Sequence, residues 1–218
     1  MYYNHLIDMD DYSVSRWNSI ISLAEDIKRR PESYADKCRG KIMATLFYEP
    51  STRTQMSFQA AMLRLGGSII GFDNPGNSSV SKGENLKDTV KIVSTYSDVL
   101  VMRHSQEGAA RAASLCADCP VINAGDGGHL HPTQTLTDLL TLKTELGRLE
   151  GLTVGLCGDL KYGRTVHSLL KALSCYPNNR FILISTESLA LPSYVKEILT
   201  ARGCEFREVK TIDEVLPQ

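Results

Sequence analysis

The sequence predicts an α/β protein made of two doubly wound parallel-sheet domains, the second incomplete. Three observations carry that prediction. Short apolar runs alternate with stretches of helical apolar spacing, the signature of a parallel sheet covered by helices on both faces. Caps and breakers punctuate the alternation, as Gly66-Gly67 does after one helical stretch. The pattern also runs twice, on either side of one long helical segment. The chain therefore divides into residues 1–133, a connecting helix over 134–149 and a second unit over 150–218.

The elements follow in order. Ser13 can cap a first helix, with Trp17, Ile20, Ile21 and Ala24 at helical spacing and Pro31 just beyond its end. Residues 42–47 (IMATLF) read as a buried strand. After STRT, Phe58, Ala61, Met62 and Leu65 recur at helical spacing. Residues 68–72 form a second strand, and a loop rich in Gly, Asn and Ser runs from 74 to 83. Leu86, Val90 and Val93 mark the next helix, 98–102 a third strand, 107–115 a short helix and 120–123 a fourth strand. Residues 132–147 read as the long connecting helix, with Leu136, Leu139, Leu140 and Leu146 among its apolar positions. Beyond it come strands at 152–158, 181–184 and 205–209 and helices starting near Thr165 and Ser193, a βαβαβ half. There is no internal repeat and no low-complexity tract.

Composition narrows the function. The 218 residues are 42% hydrophobic and 22% charged, ordinary for a globular chain able to bury a core. A net charge of −1 removes the usual argument for nucleic-acid binding. No apolar stretch approaches a membrane span, and the first residues lack the basic-then-apolar order of a signal peptide. Most of the six cysteines lie within or beside apolar segments, which suits reduced, packed thiols and a cytoplasmic location. Cys116 and Cys119 form a lone CxxC, read as two structural cysteines at a helix end before any zinc or redox role.

Three polar clusters fall at the C-terminal ends of predicted strands, where parallel α/β sheets bind ligands. Ser51, Thr52, Arg53 and Thr54 follow the first strand, Arg103-His104-Ser105 the third, and His131-Pro132-Thr133-Gln134 the fourth. Hydroxyls and backbone N–H groups at a helix start favour a phosphate. Arg53 and Arg103 each offer a planar fork to its oxygens. His131 and Gln134 lie at another helix start and could donate to a carbonyl. Each cluster has a plainer reading: Ser and Thr as caps, Arg103 as a structural pairing group, His131 as a packed histidine. Their joint placement on one rim argues for a site. No Ser–His–Asp or Cys–His arrangement is evident.

FYEPSTRT, RHSQEGAA, HPTQTLTDLLTL and GDLKYGRTVHSLLKAL together resemble the aspartate and ornithine carbamoyltransferases, along nearly the whole chain. GDLKYGRTVHS is similar to the aspartate branch. The resemblance implies transfer of the carbamoyl group of carbamoyl phosphate to the amine of L-aspartate, in pyrimidine biosynthesis. It implies that Ser51, Thr52, Arg53 and Thr54 hold the phosphate, that Arg103 and His131 reach the carbonyl oxygen and that Gln134 reaches the amino group. Arg164 would take an aspartate carboxylate. The loop over 77–84 resembles the one that gives a serine, Ser78 or Ser79, and Lys82 to a neighbouring subunit's site. A homotrimer is implied, regulatory chains are left open, and no metal or organic cofactor is implied.

Two departures stand out. Gln55 replaces a second arginine usual in the family, and Gln59 stands where Glu is frequent, a matched loss of a charge pair. Only 68 residues follow position 150, against about 150 for a domain of ordinary size. The expectation is a fragment of a longer chain whose aspartate half is short of ligands. The alternatives are an ornithine or related carbamoyltransferase, and a truncated, non-catalytic carbamoyl-phosphate-binding module.

Overall fold

The computed structural model describes residues 4–74, 76, 79–127 and 130–216. The chain splits into two compact units at Thr133/Gln134.

In the first unit, strands β1 (Ile42–Phe47), β2 (Ser68–Phe72), β3 (Val99–His104) and β4 (Val121–Asp126) form one parallel sheet in the order β2-β1-β3-β4. Helix α1 (Val14–Arg29) precedes it, and α2 (Thr52–Arg64), α3 (Leu86–Tyr96) and α4 (Ala109–Ser114) connect its strands. The first crossover leaves β1 in one direction, and the next two return past it in the other. Right-handed crossovers then put α2 on one face and α3 and α4 on the opposite face. Side-chain alternation along the strands agrees. Ala44, Leu46, Leu100 and Met102 share a core with Val90 of α3 and Ala110 and Ala113 of α4. Met43, Phe47 and Val101 share another with Met62 of α2. The reversal of direction lies between β1 and β3, where an open α/β sheet has its ligand crevice.

Ser13 caps α1 as expected, accepting the Arg16 N–H at 3.3 Å. Residues 5–7 lie along the outer edge of β4, with Leu6 donating to Val121 and accepting from Asn123, so that edge is covered. Helix α2 is less buried than its spacing predicts. Met62 is buried, whereas Ala61 is exposed and Met56 and Leu63 are 63% and 56% exposed. Strand β2 is likewise a largely exposed edge.

Three boundaries differ from expectation. Strand β3 continues through Arg103 and His104, because Phe47 of β1 pairs with Arg103 and Asp126 of β4 with His104. Arg103 is thus inside the strand, not after it. Strand β4 likewise runs on to Asp126. Helix α4 starts only at Ala109, because Gly108 adopts φ +80° as its N-cap.

In the second unit, α5 (Pro132–Leu146), which begins at the boundary, is followed by β5 (Thr153–Cys157), α6 (Arg164–Leu173), β6 (Arg180–Ile184), α7 (Ser193–Ala201) and β7 (Glu205–Val209). The sheet is parallel in the order β5-β6-β7. Stepping one way throughout puts α6 and α7 on the same face, where they pack together. This is the βαβαβ half that the sequence predicts. In α5, Leu139 is buried but Leu146 is 54% exposed. The Asn179 side chain accepts from Leu152 N and donates to the carbonyls of Leu149 and Leu173, tying the end of α6 to the start of β5.

None of the six cysteines forms a disulfide. Packing of the thiols holds for buried Cys119 and fails for Cys157, which is exposed. Alternation along β5 puts Leu156 inward and turns Cys157 to the open face with Thr153 and Gly155.

Candidate active site

The opening of α2 has the character of an anion site. Ser51 is its N-cap, yet the Ser51 side chain makes no capping hydrogen bond and the first turn holds no acidic residue. A helix start without its own cap leaves backbone N–H groups facing outward, at the positive end of the helix dipole. Thr52 and Arg53 are exposed there, and Ser51 and Thr54 are half-buried. The plainer reading of the cluster, as capping residues alone, therefore fails for Ser51.

The end of β3 lies beside the segment that leads into this turn. Phe47 pairs with Arg103, and Tyr48 N donates to the Arg103 carbonyl at 2.9 Å. The Arg103 side chain is only 8% exposed and is held on two sides. Its Nη2 and Nε donate to Glu49 Oε1 at 2.6 and 3.2 Å, and its Nη1 donates to the Ala124 carbonyl at 3.2 Å. A guanidinium carries five N–H donors, so two N–H groups, one on each Nη atom, remain for another acceptor. The structural reading of Arg103 is thus met, with two N–H groups left over.

His131 joins Arg103 through a glycine. Gly125 has φ +118°, and a Cβ on it would lie 2.9 Å from Arg103 Nη1 and 3.5 Å from His131 Cδ2. A side chain there would crowd the Arg103 guanidinium, while the distance to His131 is ordinary contact. His131 is buried, and its Nδ1 lies 3.4 Å from Thr133 Oγ1. Buried Asp126 shapes the turn before it, accepting from Gly108 N at 2.9 Å and Leu130 N at 3.1 Å. His104 stacks near Tyr48, with ring centroids 4.8 Å apart, and burial pushes its imidazole below the usual value.

The other expected residues belong to other elements. Lys82 ends a short 3-10 turn (Ser79–Lys82) in the loop before α3 and is exposed. Ser78 lies outside the described residues. In the second unit, Gln134 donates to Asp138 at 2.8 Å, one turn along α5. Burial pushes the Asp138 carboxyl up, and the Gln134 bond opposes that shift. Arg164 is the first residue of α6, after the glycine N-cap Gly163. His167 of the same helix is buried between the Leu160 carbonyl at 2.8 Å and the Tyr194 hydroxyl at 3.0 Å, and is structural. Gln59 donates weakly to Thr45 Oγ1 at 3.4 Å. Among the described residues, no group of three or more His, Cys, Asp or Glu side chains could hold a metal ion.

Residues 4–144 match the family described as "Aspartate/ornithine carbamoyltransferase, carbamoyl-P binding domain". The chain belongs to this carbamoyltransferase family. It is 58% identical over 211 residues to the aspartate carbamoyltransferase catalytic subunit of Clostridium perfringens, an alignment covering 96% of this chain and 69% of the relative. Among solved structures it is similar to the catalytic subunit of M. jannaschii aspartate transcarbamoylase, with TM-score 0.92 and 45% identity over 99% of this chain and 70% of that one. Aspartate transcarbamoylase from Trypanosoma cruzi, solved with carbamoyl phosphate and aspartate, gives TM-score 0.90 and 40% identity over 98% of this chain and 68% of that one.

Two features of this candidate site escaped the sequence reading. Glu49 stands within FYEP, directly before the cluster, but nothing local marks it as the partner of a residue 54 positions away. Gly125 is one of several glycines, and a positive φ is not visible in composition. The signal that could have found Glu49 is the expected strand pairing, which brings the ends of β1 and β3 together.

Proposed function

We propose that this chain transfers the carbamoyl group of carbamoyl phosphate to the amine of L-aspartate, releasing phosphate. One observation carries the reading. A buried arginine, aimed by Glu49 and the Ala124 carbonyl and near Gly125, as His131 also is, stands at the switch point of the sheet, where an uncapped helix start also opens. A relative of the same fold that holds carbamoyl phosphate and aspartate supports both substrates.

Attack by a neutral amine on the carbamoyl carbon builds negative charge on the carbonyl oxygen. The two remaining Nη–H groups of Arg103, with Arg53, Thr54 and His131, stabilise that charge as donors already in position. Ser51, Thr52, Arg53 and Thr54 hold the phosphate through hydroxyls, backbone N–H groups and one guanidinium. Phosphate is a fair leaving group, so no enzyme nucleophile is needed and the step calls for no metal or organic cofactor. Gln134 takes the substrate amino group, and Arg164 takes an aspartate carboxylate. Much of the acceleration comes from orienting two anionic substrates while their repulsion is cancelled.

The working unit is a homotrimer with Lys82, and a serine of the same loop, given to a neighbouring subunit. Exposed Met56 and Leu63 support an association surface on α2. The place of action is the cytoplasm, within pyrimidine biosynthesis, with regulatory chains as further partners left open. No helix among the described residues is long and apolar enough to cross a membrane.

The test is a carbamoylation assay with aspartate and with ornithine, on this chain and on a C-terminally extended one, beside calorimetry of carbamoyl phosphate on the wild type and Arg53→Ala. Carbamoyl-aspartate as the product of the extended chain, negligible aspartate turnover by the 218 residues alone and lost binding in a folded Arg53→Ala chain are expected. Use of ornithine in place of aspartate, or unchanged binding by Arg53→Ala, would overturn the assignment.

A further inference from the structure

A polar cavity opens in the second unit where β6 and β7 begin and α6 and α7 end. It measures about 430 Å³, and its lining includes Cys175, Cys204, Arg180, Arg202 and Glu205. The carbamoyl-transfer reading uses none of these residues. Cys175 is half-buried, and Arg202 Nη1 lies 3.1 Å from its sulfur. The same nitrogen donates to Ser174 Oγ at 2.9 Å and to the Lys171 carbonyl at 2.6 Å, so the guanidinium is fixed beside the thiol. Cys204 donates at 3.8 Å to the Ser174 carbonyl, on the residue immediately before Cys175. Burial pushes the Cys204 thiol up. Both cysteines line one polar cavity; the Cys175 thiol donates to the Lys171 carbonyl at 3.4 Å, and the anchored arginine on its sulfur supplies the cation beside which a cysteine reacts as a thiolate.

We propose that Cys175 is a site of thiol–disulfide exchange with a small peptide disulfide of the glutathione class. The thiolate of Cys175 attacks one sulfur of the disulfide. A new S–S bond forms to Cys175, the original S–S bond breaks, and one peptide thiolate leaves, with no other oxidant required. The lining suits a zwitterionic peptide. Arg180 and Glu205, paired at 3.1 Å and both well exposed, offer one charge of each sign. Cys204 lines the same cavity, and in this proposal it carries the exchange onward to a Cys175–Cys204 disulfide.

The probe is oxidised glutathione, with peptide mass mapping after quenching by alkylation. Cys204→Ser stops onward exchange and holds the adduct on Cys175. Cys157, exposed on β5, serves as the internal reference thiol. Cys175 is expected to react about tenfold faster than Cys157, since a neighbouring cation raises the thiolate fraction by more than it lowers nucleophilicity. Arg202→Met, checked for folding by circular dichroism, should slow Cys175 and leave Cys157 unchanged, whereas Arg202→Lys should keep most of the rate. With the neutral probe 2-hydroxyethyl disulfide, the preference for Cys175 over Cys157 should shrink. Equal rates at Cys175 and Cys157 with glutathione would overturn the proposal. A Cys175 rate unmoved by Arg202→Met in a folded chain would do the same. A preference identical for both probes would remove the role of the cavity.

Discussion

Glu49 is the residue whose replacement says most about how the site is built. Its carboxylate takes two of the three hydrogen bonds that hold Arg103, at 2.6 and 3.2 Å. The side chains are 8% exposed for Arg103 and 27% for Glu49, so the pair is mostly but not fully desolvated. Glu49→Gln keeps an acceptor in place and loses only the charge assistance, about 1 kcal/mol. Glu49→Leu leaves the guanidinium buried with the Ala124 carbonyl as its remaining anchor. One-sided loss of a buried pair costs roughly 3–5 kcal/mol. Water reaching the edge that Glu49 occupied lowers this to about 2–3 kcal/mol. Adding Arg103→Met removes the stranded charge, so the double variant should be more stable than the sum of the single changes predicts. Trp17 is the one tryptophan and is 2% exposed in the first unit, so urea melts followed by fluorescence report on this unit. Glu49→Leu no less stable than Glu49→Gln, or strict additivity in the double variant, would refute this reading of the pair. Carbamoyl-phosphate affinity, measured by calorimetry, should fall in parallel as Arg103 loses its aim.

Gly125→Ala would force a Cβ to within 2.9 Å of Arg103 Nη1 at φ +118°. It should cost about 1–3 kcal/mol in backbone strain alone and abolish carbamoyl-phosphate binding; a folded variant with wild-type affinity would count against the contact. His104 gives a pH prediction. Its folded value is lowered from 6.5 by burial, although Glu49 and Asp126 pull it upward, and its Nδ1 accepts the Gln106 N–H at 2.9 Å, which needs a neutral ring. The unfolded chain therefore takes up the proton first as pH falls through 6.5, and stability drops from there down to the folded value. Urea midpoints at pH 7.5 and 5.5 should show a larger loss in the wild type than in His104→Asn; equal losses would refute it. For the shared site, Lys82→Ala and Arg53→Ala chains, each inactive alone, should regain some activity when mixed. No recovery after demonstrated subunit exchange would argue for sites within single subunits.

The sequence alone determined the order of strands and helices, because buried parallel strands are continuous apolar runs and their helices repeat at helical spacing. It also determined that Ser51–Thr54 open a helix, and it carried the family in strings such as HPTQTLTDLLTL and GDLKYGRTVHS. Where local pattern and tertiary setting disagree, the pattern misled. Arg103 reads as a loop residue, since a charge usually ends an apolar run. It stays in β3 because both neighbouring strands extend the ladder past it and because Glu49 and the Ala124 carbonyl satisfy it once buried. Ala61 reads as part of the buried face of α2 and is exposed, since spacing marks an apolar face but not what covers it. The Arg103–Glu49 pair, the rest against Gly125 and the contact of Arg202 with Cys175 join residues 54, 22 and 27 positions apart. Such contacts depend on strand register and on a few ångströms of backbone approach, quantities that a one-dimensional pattern does not contain.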